Sequence, residues 1–188
     1  GTWEQARELR EIARIDSVVA VPHLVAAGRD APPDVQLIVA NTLLDLDASD
    51  EAAALALPLI DGPHSAKALA LLGHKGFRGV AEVAETLEAR LEQPLDPAAR
   101  IDLAMALFNV SRSKTRFKAR RILLDSLDSD DPETRALGAL ALAEIRDYPT
   151  ARPTLQMLAS DPGPRGRLAR SYLETADKID YYVEKLFR

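Results

Sequence analysis

The 188-residue chain has no cysteine, one tryptophan, four tyrosines and four phenylalanines. Without a thiol there can be no disulfide, no thiolate metal site and no cysteine nucleophile, and the gap is compatible with a reducing or an oxidising compartment. No apolar run approaches the roughly 18 residues of a membrane-spanning helix, and no charged segment leading into an apolar one opens the chain. Positive charge is not in excess: 24 Lys and Arg stand against 29 Asp and Glu, a net charge of −5. A molecule of that charge has no overall field to draw in a polyanion, which counts against nucleic acid and anionic membranes as partners.

What is present is helix-forming. Hydrophobic residues make up 47% of the chain, a normal share for a folded protein. Ala and Leu dominate this fraction, and β-branched residues rarely cluster. Both are among the best helix formers, so composition points to an all-α fold.

The strongest signal is a repeat. Pro33, Pro63, Pro97, Pro132 and Pro162 are spaced by 30, 34, 35 and 30 residues. Seven positions after each stands an alanine: Ala40, Ala70, Ala104, Ala139 and Ala169. Three of the prolines lie in Asp-Pro-x-x-Arg, at Asp96 to Arg100, Asp131 to Arg135 and Asp161 to Arg165. Asp before Pro reads as a helix start, because the carboxylate accepts from free backbone N–H groups and proline at the first helical position loses no hydrogen bond. Two turns later a methyl side chain lets a neighbouring helix approach closely. Second helical runs share Ala-x-Pro-x-apolar at Ala20 to Leu24, Ala56 to Ile60 and Ala151 to Leu155, with the proline expected in a first turn or at a kink. The pattern predicts helices near 2–14 and 17–28, 33–46 and 50–60, 63–73 and 78–92, 96–109 and 114–127, 131–146 and 149–159, then 164–176 and 178–187.

Asp-Pro-x-x-Arg followed by a small residue, with Ala-x-Pro-x-Leu in a second helix, resembles the HEAT repeat family, in the short HEAT-like form of phycobilisome lyases. The likeness covers roughly residues 16–175. The units at Pro33 and Pro63 depart from it, with Gln36 and Ala66 in place of Arg and Pro32 and Gly62 in place of Asp. The resemblance implies a right-handed α-α superhelix (a HEAT/armadillo-like solenoid) of five to six two-helix repeats, in which second helices line a concave face. It also implies binding of macromolecules as the usual task. No linker or shift in composition divides residues 1–188, which read as a single repeat domain. The non-Met start and the helical pattern running to the end suggest a segment of a longer protein.

Chemistry is sparse. His23, His64 and His74 are scattered; the last two fall about 15 Å apart if helical and cannot share a metal. The acidic groups Asp45, Asp47 and Asp50, and Asp125, Asp128, Asp130, Asp131 and Glu133, lack the central Gly and distant Glu of a calcium loop and read as capped turns. Gly73, Gly76 and Gly79 lack the strand and the Lys-Ser/Thr of a phosphate cradle. No catalytic, cofactor or metal residue is assigned, and no cofactor is expected.

One charge anomaly stands out. Arg112, Lys114, Arg116, Lys118, Arg120 and Arg121 place six cations in ten residues of an acidic protein. Lys114, Lys118 and Arg121 follow the i, i+4, i+7 stripe of one helix face. Against a docking role stands lateral pairing with Glu82, Glu85, Glu88 and Glu92 of the preceding second helix. Arg165, Arg167 and Arg170 form a smaller patch. Near the end, Tyr181, Tyr182 and Phe187 concentrate aromatic surface that either caps the array or meets a partner.

The expected function is therefore a non-catalytic protein–protein interaction or scaffold module. Its partner is a protein or acidic peptide, and its candidate contacts are Lys114, Arg116, Lys118, Arg120, Arg121, Tyr181, Tyr182 and Phe187. The alternatives are an accessory domain of a larger enzyme, with further domains in the same chain, and, less favoured on charge, a nucleic-acid-binding member of the same fold.

Overall fold

The computed structural model describes residues 17–186, which form ten α-helices and no strand. They are α1 (Ser17–Arg29), α2 (Pro33–Asp45), α3 (Ser49–Ala56), α4 (Ser65–Leu72), α5 (Ala81–Leu91), α6 (Pro97–Val110), α7 (Ser113–Asp125), α8 (Pro132–Glu144), α9 (Tyr148–Leu158) and α10 (Pro164–Leu186). Short 3₁₀ turns lie at Leu57–Leu59, Lys75–Phe77 and Ser126–Asp128. The all-α expectation holds. The helix expected at 2–14 lies outside the described residues.

The chain divides into two compact units. Of the described residues, one comprises those up to Pro94 together with Ala106–Arg116, the other Leu95–Met105 with those from Phe117 onward. In the first unit α1, α2 and α3 pack on one another, and α4 packs on α2 and α3. In the second, α9 lies against α8 and α10, and α10 also reaches α8. Helices thus touch the next in sequence and the next but one.

Two local rules account for much of this. The first is capping. Asp96 Oδ1 accepts from Ala99 N at 2.9 Å, and the Asp131 carboxylate accepts from Thr134 N at 2.8 Å and Glu133 N at 3.3 Å, so α6 and α8 begin at their prolines as expected. The second is close approach at small residues. Ala40, Ala104, Ala139 and Ala169 are fully buried. In the second unit Ala104, Ala139 and Ala169 meet Leu123, Leu142 and Leu155 in one apolar cluster. In the Ala-x-Pro-x-apolar segments the alanine and the apolar residue four positions on share a helix face, and Ala20 with Leu24 and Ala151 with Leu155 are all buried.

The structure corrects several expectations. Ala70 is exposed. Gly62 offers no capping side chain and its carbonyl instead accepts Ser65 N at 3.0 Å in a turn, so α4 starts two residues after Pro63 and Ala68 becomes the buried alanine. The Asp161 carboxylate likewise closes a turn by accepting Gly163 N at 2.8 Å rather than capping a helix, and α10 starts at Pro164, where the expected range 164–176 begins. Arg135 and Arg170 then fill the same role: Arg135 donates to the carbonyls of Ser129 and Asp130, and Arg170 to those of Ala159 and Asp161. Arg165, the motif arginine, pairs with Glu133 instead. The two helices expected at 164–176 and 178–187 are one continuous helix within the described residues. No Gly or Pro follows Gly166, and Arg152 holds both Asp177 and Asp180, at 2.7 and 2.6 Å. Pro58 ends α3 and opens a 3₁₀ turn; of the two places expected for such a proline, Pro22 and Pro153 take the one inside the helix, in α1 and α9.

Candidate partner-binding surface

The side-chain bonds that leave the local chain have a common reach. Ser49 Oγ donates to Gly76 O, Lys67 to Asp34, Arg78 to Asn109 O, Arg120 to Asp147, Arg152 to Asp177 and Asp180, and Arg165 to Glu133, over separations of 25 to 33 residues. Each therefore ties a residue to a point about one repeat away. Asp34 and Glu133 both directly follow a motif proline, and each meets a cation about one repeat on. Lys67 Nζ, donating at 2.7 Å with His64 beside it, holds the Asp34 carboxyl below the ordinary carboxylate range. These two pairs form at the residue after the motif proline and leave out the capping Asp96 and Asp131, and one of them uses the motif Arg165.

The cations of the 112–121 run do not share one fate. Arg120 donates through Nε to Asp147 at 2.8 Å, pairing forward to the start of α9 rather than back to α5. Arg121 pairs with Asp125 one turn on, in a largely exposed setting where such pairs contribute little. Arg116 is half-buried, with its guanidinium carbon 4.1 Å from the centre of the Phe108 ring and its Nε without a partner. Lys114 and Lys118 are exposed.

Between them the structure places a residue that sequence reasoning missed. Phe117 is 74% exposed. It lies three positions after Lys114, one before Lys118 and four before Arg121, so the face of α7 that carries the stripe also carries an aromatic ring in water. Its position one turn from Arg120 and Arg121 would have singled it out, had an apolar residue in a basic run been read against the buried register of Ala119 and Leu123.

On α10, Tyr181 and Tyr182 are exposed with their rings 5.5 Å apart in an edge-on pair, and Lys185 Nζ stands 5.7 Å from the Tyr181 ring. Phe187 lies outside the described residues. Tyr181 and Tyr182, with Glu174, Asp177 and Lys178, line a shallow open depression.

His74 Nδ1 accepts from Gly76 N at 3.1 Å and so closes a turn, whereas His64 Nδ1 sits 3.3 Å from Asp34, thirty residues earlier, in the same cluster as Lys67. Among the described residues no three or more His, Asp or Glu side chains are grouped to hold a metal ion, and no helix is long and apolar enough to cross a membrane. A cleft of about 300 Å³ is lined by Arg100, Ile101, Ile122, Asp125, Ser129 and Thr134 among others; its one carboxylate already pairs with Arg121. No protein-family model, curated protein or solved structure matches the chain.

Proposed function

We propose that the chain is a non-catalytic interaction module of the HEAT-like repeat kind, a solenoid that holds a protein partner on its second-helix face. The observation that carries the reading is Phe117, an aromatic side chain left in water on α7 among Lys114, Lys118 and Arg121. Large exposed aromatics flanked by cations are characteristic of contact surfaces, where the ring supplies apolar area and the charges supply orientation. The one-repeat reach of the long-range bonds supports the array, because in a solenoid each repeat contacts only its neighbours.

Photo-crosslinking tests this directly. Benzoylphenylalanine placed at 117 should give a discrete protein adduct in an extract of the source cells. The same group at Met157, also exposed, should not. Equal labelling from both positions, or adducts with nucleic acid alone, would count against the proposal.

A further inference from the structure

Residues 62–81 and 103–124 contain no Asp or Glu, in a chain that has 29 of them. The first unit joins parts of these two segments. Gly79 N donates to Val110 O at 3.2 Å and Arg78 Nε to Asn109 O at 3.3 Å, which fixes the 73–79 loop against the junction of α6 and α7. Gly79, at φ +98°, adopts a conformation that side chains other than glycine's resist, and the Arg112 guanidinium lies against it, with Nη2 2.8 Å from where a β-carbon would stand. Arg78 and Arg112 are thereby brought together, and Lys75, Lys114 and Arg116 belong to the same unit. Among the described residues none of the five has a carboxylate within ion-pair distance, whereas Lys67, Arg90, Arg120, Arg121, Arg152 and Arg165 each hold one.

The loop is rigidly placed. Phe77 is fully buried, Ser49 Oγ donates to Gly76 O at 2.8 Å, and Gly76 N is bonded by His74. The backbone that carries Lys75 and Arg78 is thus held in place before a ligand arrives, which lowers the ordering cost of binding. At the same junction Ser111, 3% exposed, has an Oγ with no partner, and so does the buried Nε of Arg116.

We infer that this composite surface, Lys75 and Arg78 of the loop with Arg112, Lys114 and Arg116 of the junction, binds an acidic peptide segment of the partner protein. The inference rests on the interaction reading above and gives the partner its chemistry. Charge complementarity selects the occupant, since unpaired guanidinium and ammonium groups accept carboxylates readily. The patch is also bounded: acids resume at Glu82 and Asp125, and the whole chain is acidic, so a short run of carboxylates fits it better than an extended nucleic-acid backbone.

The test is titration of a fluorescein-labelled oligoglutamate peptide against the full chain at low salt, followed by anisotropy. An oligoglutamine peptide and a single-stranded oligonucleotide serve as competitors. Binding should weaken with added salt and fall at least about tenfold in the Lys75→Glu, Arg112→Glu double variant. Its thermal unfolding should match the wild type, and Lys75→Gln with Arg112→Gln should lose less. If oligoglutamate binds but only Lys118→Glu with Arg121→Glu weakens it, the interaction reading stands and this placement fails. If oligoglutamate does not bind, or the oligonucleotide displaces it at lower concentration than unlabelled oligoglutamate, the acidic-peptide assignment is overturned.

Discussion

A β-carbon at Gly138 would lie 1.8 Å from Ser126 Oγ, so these two residues divide a single space between them. Ser126, in the turn after α7, is buried and donates to Leu123 O at 2.6 Å; Gly138, on α8, leaves room for it. At the matching place in other repeats stand Val39 and Leu103, both buried. The unit at Pro132 has exchanged a core side chain for a hydroxyl that closes the preceding turn.

Gly138→Ala should therefore overpack this contact and cost about 1–3 kcal/mol. In a chain of this size that lowers the melting temperature by about 2–4 °C per kcal/mol. Ser126→Ala relieves the closest contact, so the double variant should be more stable than the sum of the single losses. Strict additivity in thermal unfolding would show that the two residues do not share the space.

The links from α2 to α3 and from α8 to α9 place Asp47 and Arg146 in the left-handed region, at φ 59° and 67°. Each ends its helix with paired bonds: Ala48 N to Leu43 O with Asp47 N to Leu44 O, and Asp147 N to Leu142 O with Arg146 N to Ala143 O. This is a Schellman closure, normally built with glycine. Arg146 is exposed. Arg146→Gly should stabilise the protein by about 0.5–1 kcal/mol, the relieved backbone strain partly offset by glycine's greater freedom when unfolded. A lower denaturation midpoint in urea would contradict the assignment.

Position seven of the repeat supplies a matched pair. Ala139→Leu should cost about 1–3 kcal/mol by overpacking a fully buried site. Ala70→Leu, at the same sequence position of its repeat but exposed, should change stability by less than about 0.5 kcal/mol. Equal losses would mean that α4 has the same register as α8.

These contrasts show what could be read from the sequence. Helix capping by Asp96 and Asp131 was legible, because Asp-Pro states its own mechanism. The same motif at Asp161 does not cap: its carboxylate closes a turn, and α10 starts at Pro164, where the helical pattern already placed it. The left-handed closures at Asp47 and Arg146 carry no glycine to mark them. On the candidate surface, the Lys114, Lys118 and Arg121 stripe follows from helical spacing alone. The union of the 73–79 loop with residues 109–112 does not, because it depends on backbone carbonyls about 30 residues away that no side-chain pattern encodes.

The cap on α8 should have a pH signature. The Thr134 hydroxyl donates to Asp131 at 2.6 Å, and this bond, with the backbone N–H groups of Thr134 and Glu133 and the nearby Arg135, holds the carboxyl below its ordinary range. A lowered folded-state value means that its contribution is complete above the unfolded-state pKa and is lost as pH falls through the folded one. The difference in melting temperature between wild type and Asp131→Ala should thus be steady down to about pH 5 and shrink below about pH 4. A difference that widens on acidification would contradict this cap.

The binding surface assigned to this chain is Lys75, Arg78, Arg112, Lys114 and Arg116, which hold no carboxylate among the described residues, and hydrogen exchange reads its engagement most directly. With saturating oligoglutamate, backbone amides of residues 73–80 and 110–121 should gain protection, and an oligoglutamine peptide should leave them unchanged. Protection confined to α10 around Tyr181 and Tyr182, or none above that seen with oligoglutamine, would contradict the account.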